Sequence, residues 1–286
     1  MLLALGHDVA VVSRRRVDFP QLYKTSALAL NDFAPDYIVV ASRTNEHRND
    51  IQQIARLGFA GKLMIEKPIY QQSDEHVPDQ FARTKVAFNL RFHPALQKFR
   101  TLLKTRTVHA VTAYAGSYLP DWRPNTDYRK GYSAIRAEGG GVLRDLSHEL
   151  DYLQWIFGKW QRLTAIGGNL GSLEIDSDDV FSILFETQHV PSISLSLNYL
   201  DTTTRRDVIA LTNSGTVRLD LVAGTVEADG KTEAFSINRN DTYFAQHNDM
   251  INNVDDVICD VAEGLDVMRM INAAEDAAIS GTWVHA

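Results

Sequence analysis

Along the first ninety residues, short apolar runs alternate with stretches whose apolar positions recur at helical spacing. "DVAVV" reads as a strand, residues 26–33 as a short helix, and "DYIVVAS" as a strand buried on both faces of a parallel sheet. In "NEHRNDIQQIARLG" the side chains of Ile51, Ile54, Ala55 and Leu57 share one helical face, and Gly58 supplies the stop. "GKLMIEKP" and "TKVAFN" are two further strands. Strand and helix in alternation predict a doubly wound α/β sheet, whose ligands sit beyond the carboxyl ends of the strands. The residues to inspect are therefore Ser13 and Arg14, positions 42–47, Glu66-Lys67-Pro68, and positions 89–91.

Near residue 90 the pattern changes. "PALQKFRTLLK" reads as a helix and "VHAVTAYAGSY" as a strand, and an aromatic and basic loop leads to the amphipathic helix "SHELDYLQWIFG". From there to Ala234 strands dominate, with turns between them. Ile193, Leu195, Leu197 and Tyr199 share one face, and Ser192, Ser194, Ser196 and Asn198 the other. That alternation predicts an open antiparallel sheet with helices on one face and a small, polar face left for solvent or a second subunit. A long helical stretch closes the chain. The expected division is residues 1–90 and residues 91–286.

Composition narrows the function classes. The chain has 286 residues, 44% hydrophobic and 23% charged, enough for two domains and a substantial core. A formal charge of -7 argues against nucleic acid or an anionic membrane as the main partner. No apolar run approaches a membrane span, and the basic cluster at 14–16 follows the first apolar stretch instead of preceding it, unlike a signal peptide. The single cysteine, Cys259, excludes an intrachain disulfide and suits a reducing, cytoplasmic setting. His47, His93, His109 and His148 are scattered without metal-ligand spacing, and "EIDSDD" lacks a calcium-loop pattern, so no metal site is expected and the acidic run reads as a turn. No nucleophile motif is present.

Three motifs carry the chemistry: "EKP" after a buried strand, "FNLRFHP" after the next, and "GGGVLRDLSHELD" opening a helix. Together with "TNEHRNDI" and "EGLDVMRMINAAEDAA" they resemble the Gfo/Idh/MocA oxidoreductases in order along nearly the whole chain. The resemblance implies a Rossmann domain followed by an α+β domain with a large open sheet. It also implies a nicotinamide cofactor, a sugar, sugar-nucleotide or cyclic-polyol substrate, and a homodimer or homotetramer assembled through the sheet face. Lys67, fixed between Glu66 and Pro68, would stabilise the alkoxide that develops as hydride leaves; Glu-Lys-Pro alone favours a surface lysine with a glutamate neighbour, and its place after "KLMI" with the downstream motifs reverses that. The resemblance gives His148 the role of proton acceptor, assisted by Asp145. The usual spacing is Asp-x-x-x-His, whereas Asp145-x-x-His148 is one residue shorter, so Asp145 is displaced or replaced by Glu149; Ser147 is the expected N-cap. The alternative is a capping histidine with Asp151 on a solvated face.

The remaining expected site residues follow from position. Ser42, Thr44, Asn45, His47, Glu66 and Asn89 border the cofactor, and Arg91 binds an anionic group or stabilises the hinge. In the loop carrying Tyr118, Trp122, Arg123, Tyr128, Arg129 and Tyr132, Trp122, Arg123 and Tyr132 offer faces and cations to a sugar or merely pin the loop. Ser13, Arg14 and Arg15 suit a 2'-phosphate, hence NADP over NAD. The family's first strand and Gly-x-Gly-x-x-Gly turn do not precede "LGHDVAVV", so the sequence is expected to be a shortened form of a competent parent. The loop and the helix "DLSHELDYL" are similar to relatives acting in surface-polysaccharide synthesis. The rival expectations are a catalytically inactive sugar-binding or oligomeric relative, and an NAD-assisted glycosidase.

Overall fold

The computed structural model describes residues 1–72, 76–254 and 257–286. Val11–Val12 (β1) and Leu22–Tyr23 (β2) form a small parallel pair of their own. Ser26–Asp32 (α1) follows, with the Thr25 hydroxyl accepting from the Leu28 amide. Tyr37–Val40 (β3), His47–Arg56 (α2), Lys62–Ile65 (β4) and Arg83–Val86 (β5) then build the expected α/β layer, with β3, β4 and β5 parallel. Only β4 is buried on both faces, over Leu63, Met64 and Ile65; β3, expected to be buried on both, is fully buried at Val40 alone, and β5 carries Arg83, Thr84 and Lys85 before Val86. Leu63 and Ile65 join the main core with Ile51 and Ile54 of α2, whereas Met64 packs in a second cluster with Met250 and Ile258. Gly58, at φ +82°, ends α2 with its amide on Ala55 O.

The second unit begins with Pro94–Leu103 (α3), capped by the His93 ring, and Val108–Gly116 (β6). Val142–Asp145 (α4), Ser147–Phe157 (α5), Trp160–Gly168 (β7), Val180–Thr187 (β8), Ile193–Asn198 (β9), Arg205–Thr212 (β10), Gly215–Asp220 (β11), Thr225–Ala228 (β12) and Lys231–Ala234 (β13) follow. Asp241–Asn252 (α6), Cys259–Asp260 (β14), Val261–Ser280 (α7) and Val284–His285 (β15) complete the chain. The large sheet runs β13-β12-β11-β10-β6-β9-β8-β7-β15. It departs from a purely antiparallel sheet at β6 and β9, which run parallel because β6 is inserted between the sequential strands β9 and β10. Ile193, Leu195, Leu197 and Tyr199 all face the core, and Ser192 and Ser194 face outward as their alternation predicts. The exception is Asn198, which is buried because its amide donates to the Tyr114 hydroxyl and its carbonyl caps Leu200 and Asp201. α7 opens with a capping box between Asp260 and Glu263 and packs against β7 and α5.

The division at residue 90 is incomplete in one respect. Cys259 and Asp260 pair antiparallel with Val86 and Lys85 of β5, and Met250 of α6 packs on Met64, so the chain returns to the first sheet before entering α7. A strand of two residues carries no periodicity, which is why sequence patterning passes over it. The same holds for β2. Among the described residues, no helix is long and apolar enough to cross a membrane.

Candidate active site

The three parallel strands deliver their following residues to one end of the sheet, facing the start of α5. After β4, Glu66 leads to Lys67, whose peptide bond to Pro68 is cis. The Lys67 ammonium donates to the main-chain oxygen of Asp145 at 2.5 Å. That oxygen is free because α4 lasts a single turn. Leu146, at φ −97° and ψ 29°, breaks the helix before α5 begins, leaving terminal carbonyls without an intrahelical donor. Burial lowers the Lys67 pKa, and the Asp145 and Glu66 carboxylates pull it back. Burial raises the Glu66 pKa, against the opposing pull of Lys67.

The glycines ahead of α4 are required by close approach. A Cβ on Gly140 would lie 2.1 Å from the Tyr132 oxygen, and one on Gly141, at φ +120°, 2.2 Å from Asp178 Oδ1. The other carboxylate oxygen of Asp178 accepts from the Leu143 amide at 3.0 Å, and Asp179 accepts from the Leu170 and Gly171 amides. The "EIDSDD" run is thus a turn whose aspartates tie down backbone amides.

Asp145 and His148 are brought to the same place but do not bond each other. The Asp145 carboxylate accepts from the Tyr199 hydroxyl at 2.6 Å, and Tyr132 lies beside the same group. His148 stands edge-on to Phe88, with ring centroids 5.6 Å apart, and its Nδ1 is buried without a hydrogen-bond partner. Burial holds the imidazole pKa well below 6.5, and the Lys67 and Arg206 charges push it the same way, so His148 is neutral near pH 7. The short Asp-x-x-His spacing therefore directs the carboxylate to two tyrosines instead of the imidazole. Ser147 is not the expected cap. It is the first residue inside α5, and its hydroxyl is buried without a partner.

Arg206 and Glu149 complete the cluster. Arg206 Nε lies 2.8 Å from the fully buried Glu149 Oε1, and its charge reaches Lys67, His148 and His93. Burial raises the Glu149 pKa, and Arg206 lowers it. Arg206 was legible but overlooked. It shares its strand face with Val208 and Ala210, both buried, and a cation on the apolar face of a strand needs a buried partner.

The other expected residues fall into two groups. Around the Ser42 turn, the Ser42 hydroxyl is buried without a partner, Thr44 lies under Gly139, and Asn45 donates to Ala137 O at 3.3 Å. Arg43 pairs with Glu138, so the segment before the glycines rests on this turn. The His47 ring sits between Ile69 O and Ser42 O, 3.1 Å from each; burial lowers its pKa, so the neutral ring donates to one of the two carbonyls and packs against the other between the strand ends. Ser13, Arg14 and Arg15 follow β1 at the surface, where Arg14 lies 3.6 Å from Glu46. Asn89 and Arg91 are directed elsewhere. Asn89 donates to the Thr242 hydroxyl at 2.7 Å. Arg91, 2% exposed, forms a two-pronged pair with Asp151 and adds Glu263 at 2.9 Å. Its donors are committed to α5 and α7, which is the hinge arrangement and leaves none for a substrate anion; Asp151 correspondingly is buried and not on a solvated face. Trp122 meets Tyr199 edge-on at 5.2 Å, and the Arg123 guanidinium lies 5.6 Å from the centre of the Tyr132 ring.

Comparison with known proteins agrees with this architecture. Residues 96–218 match the GFO/IDH/MocA C-terminal domain. An uncharacterised oxidoreductase of Streptococcus pneumoniae is 27% identical over 218 residues, covering 71% of this chain and 57% of that protein. The chain thus matches little more than half the length of that relative. Among solved structures, an oxidoreductase from Thermotoga maritima superposes with a TM-score of 0.83 at 18% identity, covering 99% of this chain and 92% of the other. The WlbA dehydrogenase of Bordetella pertussis, solved with NADH and UDP-GlcNAcA, gives 0.76 at 17% identity over 93% and 84%. At these identities the likeness is one of fold: a Rossmann layer joined to a large open sheet.

Proposed function

We propose that this chain, whose residues 96–218 match the GFO/IDH/MocA C-terminal domain, is an oxidoreductase of a sugar or sugar-nucleotide carbinol with a nicotinamide cofactor. The observation that carries the reading is the proximity of Lys67 and His148: a half-buried ammonium whose charge acts on a neutral imidazole with an unpartnered nitrogen, beyond the carboxyl ends of a parallel sheet. The residues fit the nicotinamide end of the cofactor, since the buried, unpartnered Ser42 hydroxyl and the Lys67 ammonium lie after adjacent strands. Arg14 and Arg15 suit a 2'-phosphate, which makes NADP the proposed preference, although the related structure holds NADH. A bound nicotinamide supplies the hydride acceptor.

The side chains do the rest. His148, neutral, takes the hydroxyl proton of the substrate, while Lys67 faces the oxygen on which negative charge builds. Asp145 holds Lys67 through its carbonyl and is itself held by Tyr199, so the ammonium is pre-oriented. Burial keeps His148 unprotonated, with the Lys67 and Arg206 charges acting the same way. The outer face of the large sheet, with Ser182, Ser194 and Thr112 exposed, is the proposed contact between copies. The test is nicotinamide absorbance at 340 nm with a panel of sugars and sugar nucleotides, with NADP and NAD, on wild type and His148→Asn. The expected result is turnover that His148→Asn reduces about 10²–10⁴-fold, with an acidic limb below pH 6.5. Undiminished turnover in His148→Asn would overturn the assignment.

A further inference from the structure

The loop over residues 117–133 was expected either to touch the substrate or to pin itself. It does pin itself: the Trp122 ring nitrogen donates to the Ser117 hydroxyl at 2.7 Å, and Arg129 is taken up by Asp127 at 2.8 Å and Glu174 at 2.7 Å. It also encloses a cavity of about 290 Å³ lined by Trp122, Tyr128 and Ser133, into which Arg123 and Lys130 bring two cations. The cavity's carboxylate, Asp127, is held by Arg129 at 2.8 Å and also pairs with Lys130 at 3.8 Å. Among the described residues Arg123 has no acidic partner; its guanidinium lies over the Tyr132 ring. A planar, unpaired fork in a recess with aromatic walls is the arrangement that grips an oxyanion.

The cavity is wired to the reacting centre from two sides. Tyr132, beneath Arg123, lies beside the Asp145 carboxylate. Trp122, on the wall, packs on Tyr199, whose hydroxyl donates to that same carboxylate. Asp145 in turn holds Lys67. A group seated in the cavity is therefore linked to Lys67 through a tyrosine, Tyr132 or Tyr199, and then Asp145.

We propose that the substrate is anionic, and that this cavity receives its carboxylate or phosphate on Arg123 with Lys130 beside it. This deepens the dehydrogenase reading and rests on it for the word substrate. Arg123 is then a specificity determinant, distinguishing acidic sugars or sugar phosphates from their neutral counterparts.

Binding is measured without nicotinamide, through the tryptophan fluorescence that Trp122 contributes, with Trp122→Phe as the check on the reporter. Three matched pairs are used: glucuronate against glucose, glucose 6-phosphate against glucose, and UDP-glucuronate against UDP-glucose. The expected result is a preference of about tenfold or more for the member with the additional carboxylate or phosphate in at least one pair. Arg123→Gln removes the preference, and Arg123→Lys, which keeps charge but loses the fork, retains part of it. The pair that responds identifies carboxylate or phosphate. Equal binding of the two members of every pair by wild type, or an unchanged preference in a folded Arg123→Gln, overturns the proposal. Neither outcome touches hydride transfer. Turnover without anion preference sinks only this site, whereas anion preference without turnover on any substrate sinks only the dehydrogenase reading.

Discussion

Two clusters of buried charge flank α5, and they are built in opposite ways. On one side Arg91 meets Asp151 and Glu263, and each nitrogen of the guanidinium has an oxygen to donate to. On the other side, Lys67, Asp145, His148, Glu149 and Arg206 crowd together while the Ser42 hydroxyl, the Ser147 hydroxyl and His148 Nδ1 are buried with no partner. Native interiors leave few polar atoms unsatisfied, so several beside one group of charges are informative, although Arg144 Nε and Gln246 Oε1 are also unpartnered elsewhere. A closed ionic network stabilises an arrangement of helices. An open one has donors and acceptors left over for a ligand.

Breaking the closed cluster has the largest expected effect. Asp151→Asn leaves the Arg91 guanidinium inside the protein with half of its compensation, and removing one partner of a buried pair typically costs about 3–5 kcal/mol. The chain's thermal or denaturant midpoint is expected to fall steeply. An Asp151→Asn variant as stable as wild type would mean that the junction is hydrated in solution, and the contrast between the two clusters would lose its basis.

The converse substitution comes second. Lys67→Met exchanges a desolvated ammonium for an apolar chain of similar length, and burial of the charge is already the dominant influence on Lys67. Stability is expected to hold or rise, while turnover falls about 10²–10³-fold, the usual loss when one electrostatic donor to a developing oxyanion is removed. Melting curves and initial rates on the same preparation check both halves. A Lys67→Met protein that is destabilised yet as active as wild type would place the lysine with Arg91 among the structural cations.

This contrast also explains what the sequence could disclose. The parallel layer, the alternating face of β9 and the helices at 94–103 and 147–157 rest on local periodicity, which a single chain displays in full. The positions of Lys67 and His148 were legible for a related reason: strand ends and glycine-rich helix starts are local signals. What long-range contact decides was not legible. Whether Arg91 faces a ligand or Asp151 depends on α5 returning sixty residues later, and whether Asp145 serves His148 depends on Tyr199 arriving from β9. Arg206 lay between these cases. Its place on an apolar strand face was visible, but its partner Glu149 was not.

His148 and His247 allow a last, smaller test of the same idea, because both are kept neutral by burial but only one stands in the open cluster. His247, on α6, is partnered by the Tyr37 hydroxyl at 2.9 Å, and burial pushes its pKa down to about 4. An unfolded histidine titrates near 6.5. Between those values the unfolded chain binds the extra proton and the folded one does not, so the contribution of His247 to stability is full above pH 6.5 and declines as the pH falls toward 4. The carboxylates whose pKa values burial raises, Glu66 and Glu149 among them, titrate with the opposite sign but are common to wild type and variant, and so cancel in the difference. His247→Gln, which keeps a hydrogen-bonding group without a titrating one, is expected to lose less of its thermal midpoint between pH 7 and pH 5 than wild type does. Parallel curves for the two proteins would show that His247 is solvated and titrates normally, and that satisfied burial at the α6 contact is weaker than its hydrogen bond to Tyr37 implies.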